Sequence, residues 1–196
     1  MQVGGEPDPK NAGKKVSSKP LMNPSLIEIP GSRRPLRQGE LDSLFNKIKK
    51  VDFVVYTHDH ADQTHGINEL RTFFWINKKK IPIYADKKTS NYLLNSFKYL
   101  FVKQSRYYKP ILKMNVIKNN FFLNKNKNSI QLETIKVRHG DINSNGYLFN
   151  KIAYISDCSS IPNESLKRLM NLKLLIIDCL KFKRHATHLN FKFLRI

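Results

Sequence analysis

One short stretch, residues 57–66, concentrates side chains that can bind a metal ion. It holds three of the six histidines in the chain and two carboxylates, which are His58, Asp59, His60, Asp62 and His65. The apolar segment before it, residues 51–56, predicts a buried strand. Residues two apart on an extended backbone point to the same side. His58 and His60 can therefore reach one ion, while the loop brings Asp62 towards a second.

Other polar residues also follow predicted strands. They are His139, Asp157 and Asp178, with His185 and His188 in a later loop. Ligands of sheet proteins collect at the carboxyl ends of strands, where loops converge on a rigid support. Neutral imidazole and carboxylate oxygen both bind Zn²⁺ at about 2.0–2.2 Å. The sequence therefore predicts a metal centre that includes His139 and Asp157, whereas Asp178, His185 and His188 have no settled role and His65 is expected to stabilise the loop.

Hydrophobic periodicity supplies the elements that position these residues. Strands are predicted at Ser25–Ile29, 52–56, 81–84, 111–117, 121–123, 130–138, 147–149, 152–155 and 174–177, and helices at 41–48, 67–78, 93–101 and 162–170. The apolar phase slips within 130–138, which predicts a bulge near Thr134. Residues 143–146 are predicted to form a turn, and Asn150-Lys151 to join a hairpin. Loosely alternating strands and helices indicate an α/β or α+β fold.

Composition adds limits on class and location. The net charge of +20 favours phosphates, nucleic acid or an anionic membrane surface as partners. Compositional drift towards Lys, Asn and Ile explains the same charge, and no stretch has the aromatic and basic character of a single-strand binder. No run approaches the roughly 18 apolar residues that span a bilayer, and residues 1–6 have neither the basic nor the apolar region expected of a secretory signal. Cys158 and Cys179 are expected to be free, so the sequence predicts a cytoplasmic protein without membrane contact.

The histidine stretch also resembles a known signature. Residues 57–66 resemble the His-X-His-X-Asp-His of metallo-β-lactamase-fold hydrolases. With Asn145-Gly146-Tyr147, Tyr154-Ile155-Ser156-Asp157 and His185-Ala186-Thr187-His188, the chain is similar to the branch that contains phosphoribosyl cyclic phosphate phosphodiesterase. The resemblance covers roughly residues 45–192. It implies a four-layer αββα sandwich that is shortened at both ends, with residues 1–24 as an irregular basic arm and 25–196 as a partial metallo-hydrolase domain.

The resemblance also implies roles for individual residues. His58, His60 and His139 would hold a first metal ion, Asp62 a second, and Asp157 would bridge the two. His188, or else His185, would lie near the substrate phosphate as an acid or anchor. The chain departs from the family at Gln63, which stands where a metal-binding histidine is usual. It also lacks the last histidine ligand of the family and has Arg33-Arg34-Pro35-Leu36-Arg37 in place of an Asp-Thr-Ser-Pro-like segment.

The expected function is a metal-dependent phosphodiesterase that uses one or two Zn²⁺ or Mn²⁺ ions on a small cyclic phosphodiester. Asp62, Asp157 and His188 are the expected catalytic residues, with a homodimer as one assembly. The alternatives are a nuclease of the same fold, a hydrolase of lactones or thioesters, and a basic anion- or nucleic-acid-binding module without turnover. A metal-dependent barrel hydrolase also carries His-X-His, but its roughly 250 residues exceed this chain.

Overall fold

A computed structural model describes residues 50–125, 127–180 and 182–190. The predicted basic arm at residues 1–24, the strand at 25–29 and the helix at 41–48 lie outside the described residues. The division into an arm and a hydrolase domain therefore stays a prediction.

The described chain contains eight strands and five α-helices, and a 3₁₀ helix spans His65–Glu69. The strands are β1 (Val54–Val55), β2 (Ile81–Ala85), β3 (Leu112–Val116), β4 (Asn120–Lys125), β5 (Asn128–His139), β6 (Ile142–Phe149), β7 (Ile152–Ile155) and β8 (Leu174–Ile177). The helices are α1 (Ala61–Thr64), α2 (Leu70–Asn77), α3 (Lys87–Ser96), α4 (Lys98–Phe101) and α5 (Asn163–Arg168). Within these residues no helix is long and apolar enough to cross a bilayer.

Two sheets form the centre of the fold. The first has the order β1-β2-β3 with all pairs parallel, and the second has the order β4-β5-β6-β7-β8. In the second sheet the first three pairs are antiparallel, while β7 and β8 are parallel. This mixture of helices and strands confirms the predicted α/β or α+β class.

Side-chain alternation creates the four layers. On β2, Ile81, Ile83 and Ala85 are buried in a cluster with residues of helices α2, α3 and α4. Tyr84 points to the other face and packs in a cluster shared with the second sheet, around Leu132 and Tyr147. Successive residues of a strand point to opposite faces of its sheet. The first sheet therefore packs against helices α2, α3 and α4 on one face and against the second sheet on the other. The predicted αββα arrangement is confirmed.

Strand β5 crosses two cores without the predicted bulge. Its register to β4 and β6 is regular through Thr134, which pairs with Tyr147. Leu132 belongs to the cluster between the sheets. Ile135 and Val137 belong to a different cluster, which also contains Leu169, the residue after helix α5. The apolar phase changes because the buried face changes along the strand. The bulge prediction was wrong for that reason.

The turns of the second sheet differ in part from expectation. Asn150 and Lys151, both at positive φ, join Phe149 to Ile152 as predicted, which is typical of two-residue hairpins. The predicted turn at residues 143–146 was wrong, since these residues lie inside β6. The turn is Gly140-Asp141 instead, between the paired His139 and Ile142. Polar residues fill the middle of β6 because that part of the strand supports the site.

Candidate metal centre

Strand direction brings the polar residues to one edge. His139 is the last residue of β5, Asp157 follows β7 by two residues, and Asp178 directly follows β8. Since β5, β7 and β8 run in the same direction, their carboxyl ends share one edge of the second sheet. The loop after β1 reaches this edge from the first sheet: the Asn145 backbone N–H donates to the Thr57 carbonyl, beside His58, at 3.0 Å.

Four predicted ligands meet at this edge. One donor atom from each of His58, His60, His139 and Asp157 lies within 4.8 Å of the others. His139 Nε2 is 3.2 Å from His60 Nδ1 and 3.8 Å from Asp157 Oδ2. His58 Nε2 is 3.6 Å from the same carboxylate oxygen. We call these four residues, with Asp178 and His188, the histidine rim.

His58 is oriented from behind. Its Nδ1 lies 3.0 Å from Thr57 Oγ1 and 3.3 Å from Ser144 Oγ. Its Nε2 is buried and has no hydrogen-bond partner among the described residues. Burial lowers the pKa of His58 to about 4, an effect that the nearby Asp157 carboxylate partly opposes. The ring is therefore neutral near pH 7 and directs an unpartnered buried nitrogen at the rim.

His139 is oriented by the loop that carries His185 and His188. Its Nδ1 donates to the Thr187 carbonyl at 2.7 Å, which leaves Nε2 with a lone pair facing the rim in the neutral ring. Gly140 makes this approach close: its φ is +56°, and an added Cβ would lie 2.8 Å from Thr187 Cγ2. Glycine is needed here both for its backbone conformation and for contact with this loop.

A second group of ligand-type atoms shares Asp157. Asp157, Asp178 and His188 each offer one atom within 4.8 Å of the others. His188 Nδ1 donates to Asp178 Oδ2 at 2.7 Å, and its ring centroid lies 4.9 Å from that of His139. Sequence reasoning placed Asp178 at a strand exit and left open whether it is a metal ligand. The tertiary structure makes it the partner of His188.

The remaining candidates lie outside both groups. Asp62 is exposed in the first turn of α1, and its charge acts on His58. Gln63 lines an adjacent cavity of about 210 Å³. His65 contacts Tyr92 and Phe97, in line with its expected stabilising role, and exposed His185 has its ring 5.3 Å from that of His188. The role of Asp62 in a second metal site stays a prediction.

A buried brace supports the loop from beneath. Asn145 Nδ2 donates to Asp86 Oδ2 at 2.9 Å and to the Thr57 carbonyl at 3.2 Å. Burial raises the pKa of Asp86, but hydrogen bonds from Thr89 and Asn145 outweigh burial and hold that pKa below its usual value. Asp86 is also the N-cap of α3. The brace thus joins the ends of β1 and β2 to the middle of β6, a role that sequence reasoning did not detect.

The donor set fits a divalent cation. Ligand atoms about 2.0–2.1 Å from a tetrahedral ion lie about 3.3 Å from one another, close to the 3.2–3.8 Å separations found here. Three imidazoles and one carboxylate suit Zn²⁺ or a similar ion. The unpartnered Nε2 of His58 is the kind of buried atom that such an ion satisfies. Cys158 takes no part: it is buried, and burial raises its pKa to about 12.

Two sheets between helices, with this loop at their shared edge, define a metallo-β-lactamase-like fold. The family described as "Beta-lactamase superfamily domain" matches residues 21–193. The chain belongs to this family.

Several solved protein structures are similar to this fold. A solved diphosphatase from the PhnP family is 32% identical with a TM-score of 0.65, over 78% of this chain and 56% of that one. The metallo-β-lactamase-fold protein YhfI from Bacillus subtilis is 21% identical with a TM-score of 0.57, over 78% of this chain and 61% of its own. The human short form of tRNase Z is 16% identical with a TM-score of 0.53, over 79% and 71%. The last two likenesses show the fold alone.

One curated relative is an octanoyltransferase of Porphyromonas gingivalis. It is 27% identical over 147 residues, which are 74% of this chain and 29% of that protein. The chain therefore spans less than a third of that relative and about half of the diphosphatase.

Proposed function

We propose that the chain is a metal-dependent hydrolase that cleaves a small phosphodiester, cyclic in the simplest case. One observation carries the proposal: the donor atoms of His58, His60, His139 and Asp157 lie within 4.8 Å of one another. These four residues would hold a first Zn²⁺ or Mn²⁺ ion. A bound divalent ion supplies Lewis acidity, which activates water and polarises a phosphoryl oxygen.

The protein itself supplies orientation and proton transfer. Asp157 belongs to both ligand groups, so its carboxylate could ligate one metal ion in each group. Asp178 accepts from His188 Nδ1 and thereby orients His188 Nε2. A histidine held in this way can protonate a leaving alkoxide. Asp62, exposed beside the rim, would orient the attacking water or hold a second ion.

A phosphate substrate fits the surroundings of the rim. Lys183 and Arg184 are exposed in the loop that also carries His188, and guanidinium groups bind phosphate oxygens in pairs. The likeness to a PhnP-family diphosphatase at 32% identity supports chemistry on a phosphoryl group. A lactone or thioester would make no use of these cations, so a phosphodiester is the better substrate class.

The direct test removes one imidazole of the rim. His60→Ala should lower turnover of bis(p-nitrophenyl) phosphate with Zn²⁺ or Mn²⁺ by at least about 100-fold, because a lost ligand removes several kcal/mol of charge stabilisation. His65→Ala is the matched control, since this histidine of the same stretch contacts Tyr92 and Phe97. Equal turnover by wild type and His60→Ala would refute the proposal. Metal analysis that finds no ion would favour a binding module instead.

A further inference from the structure

A second surface of the molecule presents aromatic rings beside cations. Trp75 on α2 is 47% exposed, and Tyr107 and Tyr108 in the loop after α4 are 76% and 57% exposed. A lysine or arginine side chain lies over each ring. Lys78 Nζ lies 5.1 Å from the centroid of Trp75, Arg106 Cζ 4.9 Å from Tyr107 and Arg71 Cζ 5.8 Å from Tyr108. We call these six residues the cation–aromatic face.

The face is one continuous surface. Arg71 and Trp75 are four residues apart on α2, so they are neighbours on one side of the helix. Arg71 also lies over Tyr108, which joins the helix to the loop that carries Tyr107. Two segments separated by about thirty residues in sequence are therefore brought together by the fold.

The part of the sequence that contains the face is rich in positive charge. Between Glu69 and Glu133 the sequence contains one acidic residue, Asp86, while lysines and arginines recur throughout. Asp86 is engaged by Thr89 and Asn145. After Lys78 in the sequence, Lys79 and Lys80 line an open cavity of about 290 Å³ together with Lys50 and Asp52. Asp52 is paired with Lys50 and Lys125, so cations outnumber carboxylates here as well. An extended anion is therefore attracted to this side of the molecule.

The face is separate from the histidine rim. Helix α2 starts just after the loop at the carboxyl end of β1 and ends just before the start of β2. It therefore runs from the rim towards the opposite ends of the parallel strands, with Arg71 in its first turn, Trp75 in its last turn and Lys78 as its C-cap. A ligand on this face need not depend on metal at the rim.

We propose that this face binds single-stranded nucleic acid. Exposed bases stack on aromatic side chains, and phosphates pair with lysine and arginine; proteins that bind single strands without strong sequence preference combine these two features. A duplex hides its base faces, and an anionic membrane offers charge without rings to stack. The spaced rings with a cation at each therefore fit a single strand best. This inference goes beyond the hydrolytic function proposed above.

The chain carries its own probe for this interaction. Trp75 is the single tryptophan, so stacking of a base on this ring should quench the intrinsic fluorescence of the full chain. Titration with an unlabelled dT15 or U15 oligonucleotide should quench the tryptophan fluorescence in a saturable way. The affinity should fall with salt, with a log–log slope of about −0.7 for each phosphate contacted. The matching duplex should bind more weakly at the same salt concentration.

Matched substitutions separate stacking from charge. Trp75→Leu, and separately the pair Tyr107→Leu with Tyr108→Leu, should each weaken binding of a labelled dT15 by at least about fivefold, as base stacking on one ring contributes. Phe122→Leu is the control, because Phe122 is 54% exposed on β4 and outside the face. Trp75→Leu should leave hydrolysis of bis(p-nitrophenyl) phosphate unchanged. His60→Ala should leave dT15 binding unchanged.

Several outcomes would overturn the inference. If both aromatic variants bound dT15 as tightly as wild type, the binding would be non-specific electrostatic attraction between the oligonucleotide and a basic protein. Equal affinity for duplex and single strand would have the same meaning. Binding to phosphatidylserine vesicles without binding to dT15 or U15 would assign the face to a membrane surface instead. Circular dichroism of each variant shows whether a loss of binding reflects a loss of fold.

Discussion

The histidine rim and the cation–aromatic face hold their side chains in different ways. At the rim, His58, His139 and His188 each have a ring nitrogen fixed by a neighbouring oxygen. On the face, Trp75 and Tyr107 are 47% and 76% exposed, and each contacts a cation that lies over the ring. The rim combines imidazole nitrogens and carboxylates around a partly buried centre, whereas the face combines one sign of charge with exposed aromatic surface.

The difference shows what each kind of chemistry requires. A metal ion needs several donor atoms within a few tenths of an ångström of fixed positions, and only buried hydrogen bonds provide that accuracy. A flexible polyanion adapts to the protein, so exposed rings and mobile cations are sufficient. Substitutions at the rim should therefore affect catalysis through geometry, and those on the face should affect binding through area and charge.

The largest effect is expected at Asp157, which both ligand groups share. Asp157→Asn should lower phosphodiester turnover by at least about 1,000-fold, because a neutral amide replaces the charge that would hold the ions. Metal content per chain, measured by elemental analysis, should fall with it. Binding of dT15 should stay unchanged. If turnover and oligonucleotide binding fell together, the two regions would not be independent and the comparison would fail.

The next effect concerns His188 and its partner. His188→Gln should lower turnover by about 100-fold for an alkyl phosphodiester with a basic leaving group. The loss should be much smaller for bis(p-nitrophenyl) phosphate, whose leaving group needs no proton. Asp178→Asn should follow the same pattern with a smaller loss, because Asp178 acts by orienting His188. A loss that is independent of the leaving group would indicate that His188 binds metal or substrate and does not donate a proton.

A third effect should appear in the dependence of stability on pH. The pKa of His58 is lowered to about 4 by burial, against 6.5 for the free side chain. In the metal-free protein the unfolded state gains this proton as the pH falls below about 6.5, while the native state gains it only near pH 4. The free energy of unfolding should therefore decrease between pH 6.5 and 4 by about 3 kcal/mol from this group.

Urea unfolding after chelation measures this decrease at several pH values. His58→Gln should flatten the profile, whereas His65→Gln, a change at an exposed histidine, should not. Since His58→Gln leaves a buried amide, an NMR titration of the wild-type His58 ring supplies a second measurement. A ring that titrates near pH 6.5 would contradict the expectation.

The smallest effect concerns the brace beneath the rim. Asn145→Ala should lower the free energy of unfolding by about 1–3 kcal/mol, because Asp86 loses a buried donor. Turnover should fall as well, since the Thr57 carbonyl next to His58 loses its side-chain donor. Asn115→Ala is the matched control: Asn115 Nδ2 also donates to backbone carbonyls, at Ile83 on the neighbouring strand β2 and at Lys113 on its own strand. Similar losses of turnover in the two variants would show that Asn145 has no special part in the site.

The fold was predictable where local patterns were strong. The apolar run at Leu174–Ile177 forms β8 as expected, and Asn150-Lys151 forms the expected hairpin turn. Prediction failed in β5 and β6, because the burial and bonding of their residues depend on contacts with another layer of the fold. Residues 143–146 have the composition of a turn, but Asn145 bonds across to Thr57 and Asp86. Such contacts join residues up to 88 positions apart, and no local pattern records them.

The amino-acid sequence by itself determined the metal-binding residue types, their spacing in the His58–His60 stretch and the strands that end beside them. It determined these because strand periodicity and ligand chemistry are properties of neighbouring residues. The tertiary structure alone decided that Asp178 partners His188, that His58 keeps an unpartnered buried nitrogen, and that Arg71 meets Tyr108. Burial and through-space distance are set by the packing of both sheets and their helices, so they exist only once the chain has folded.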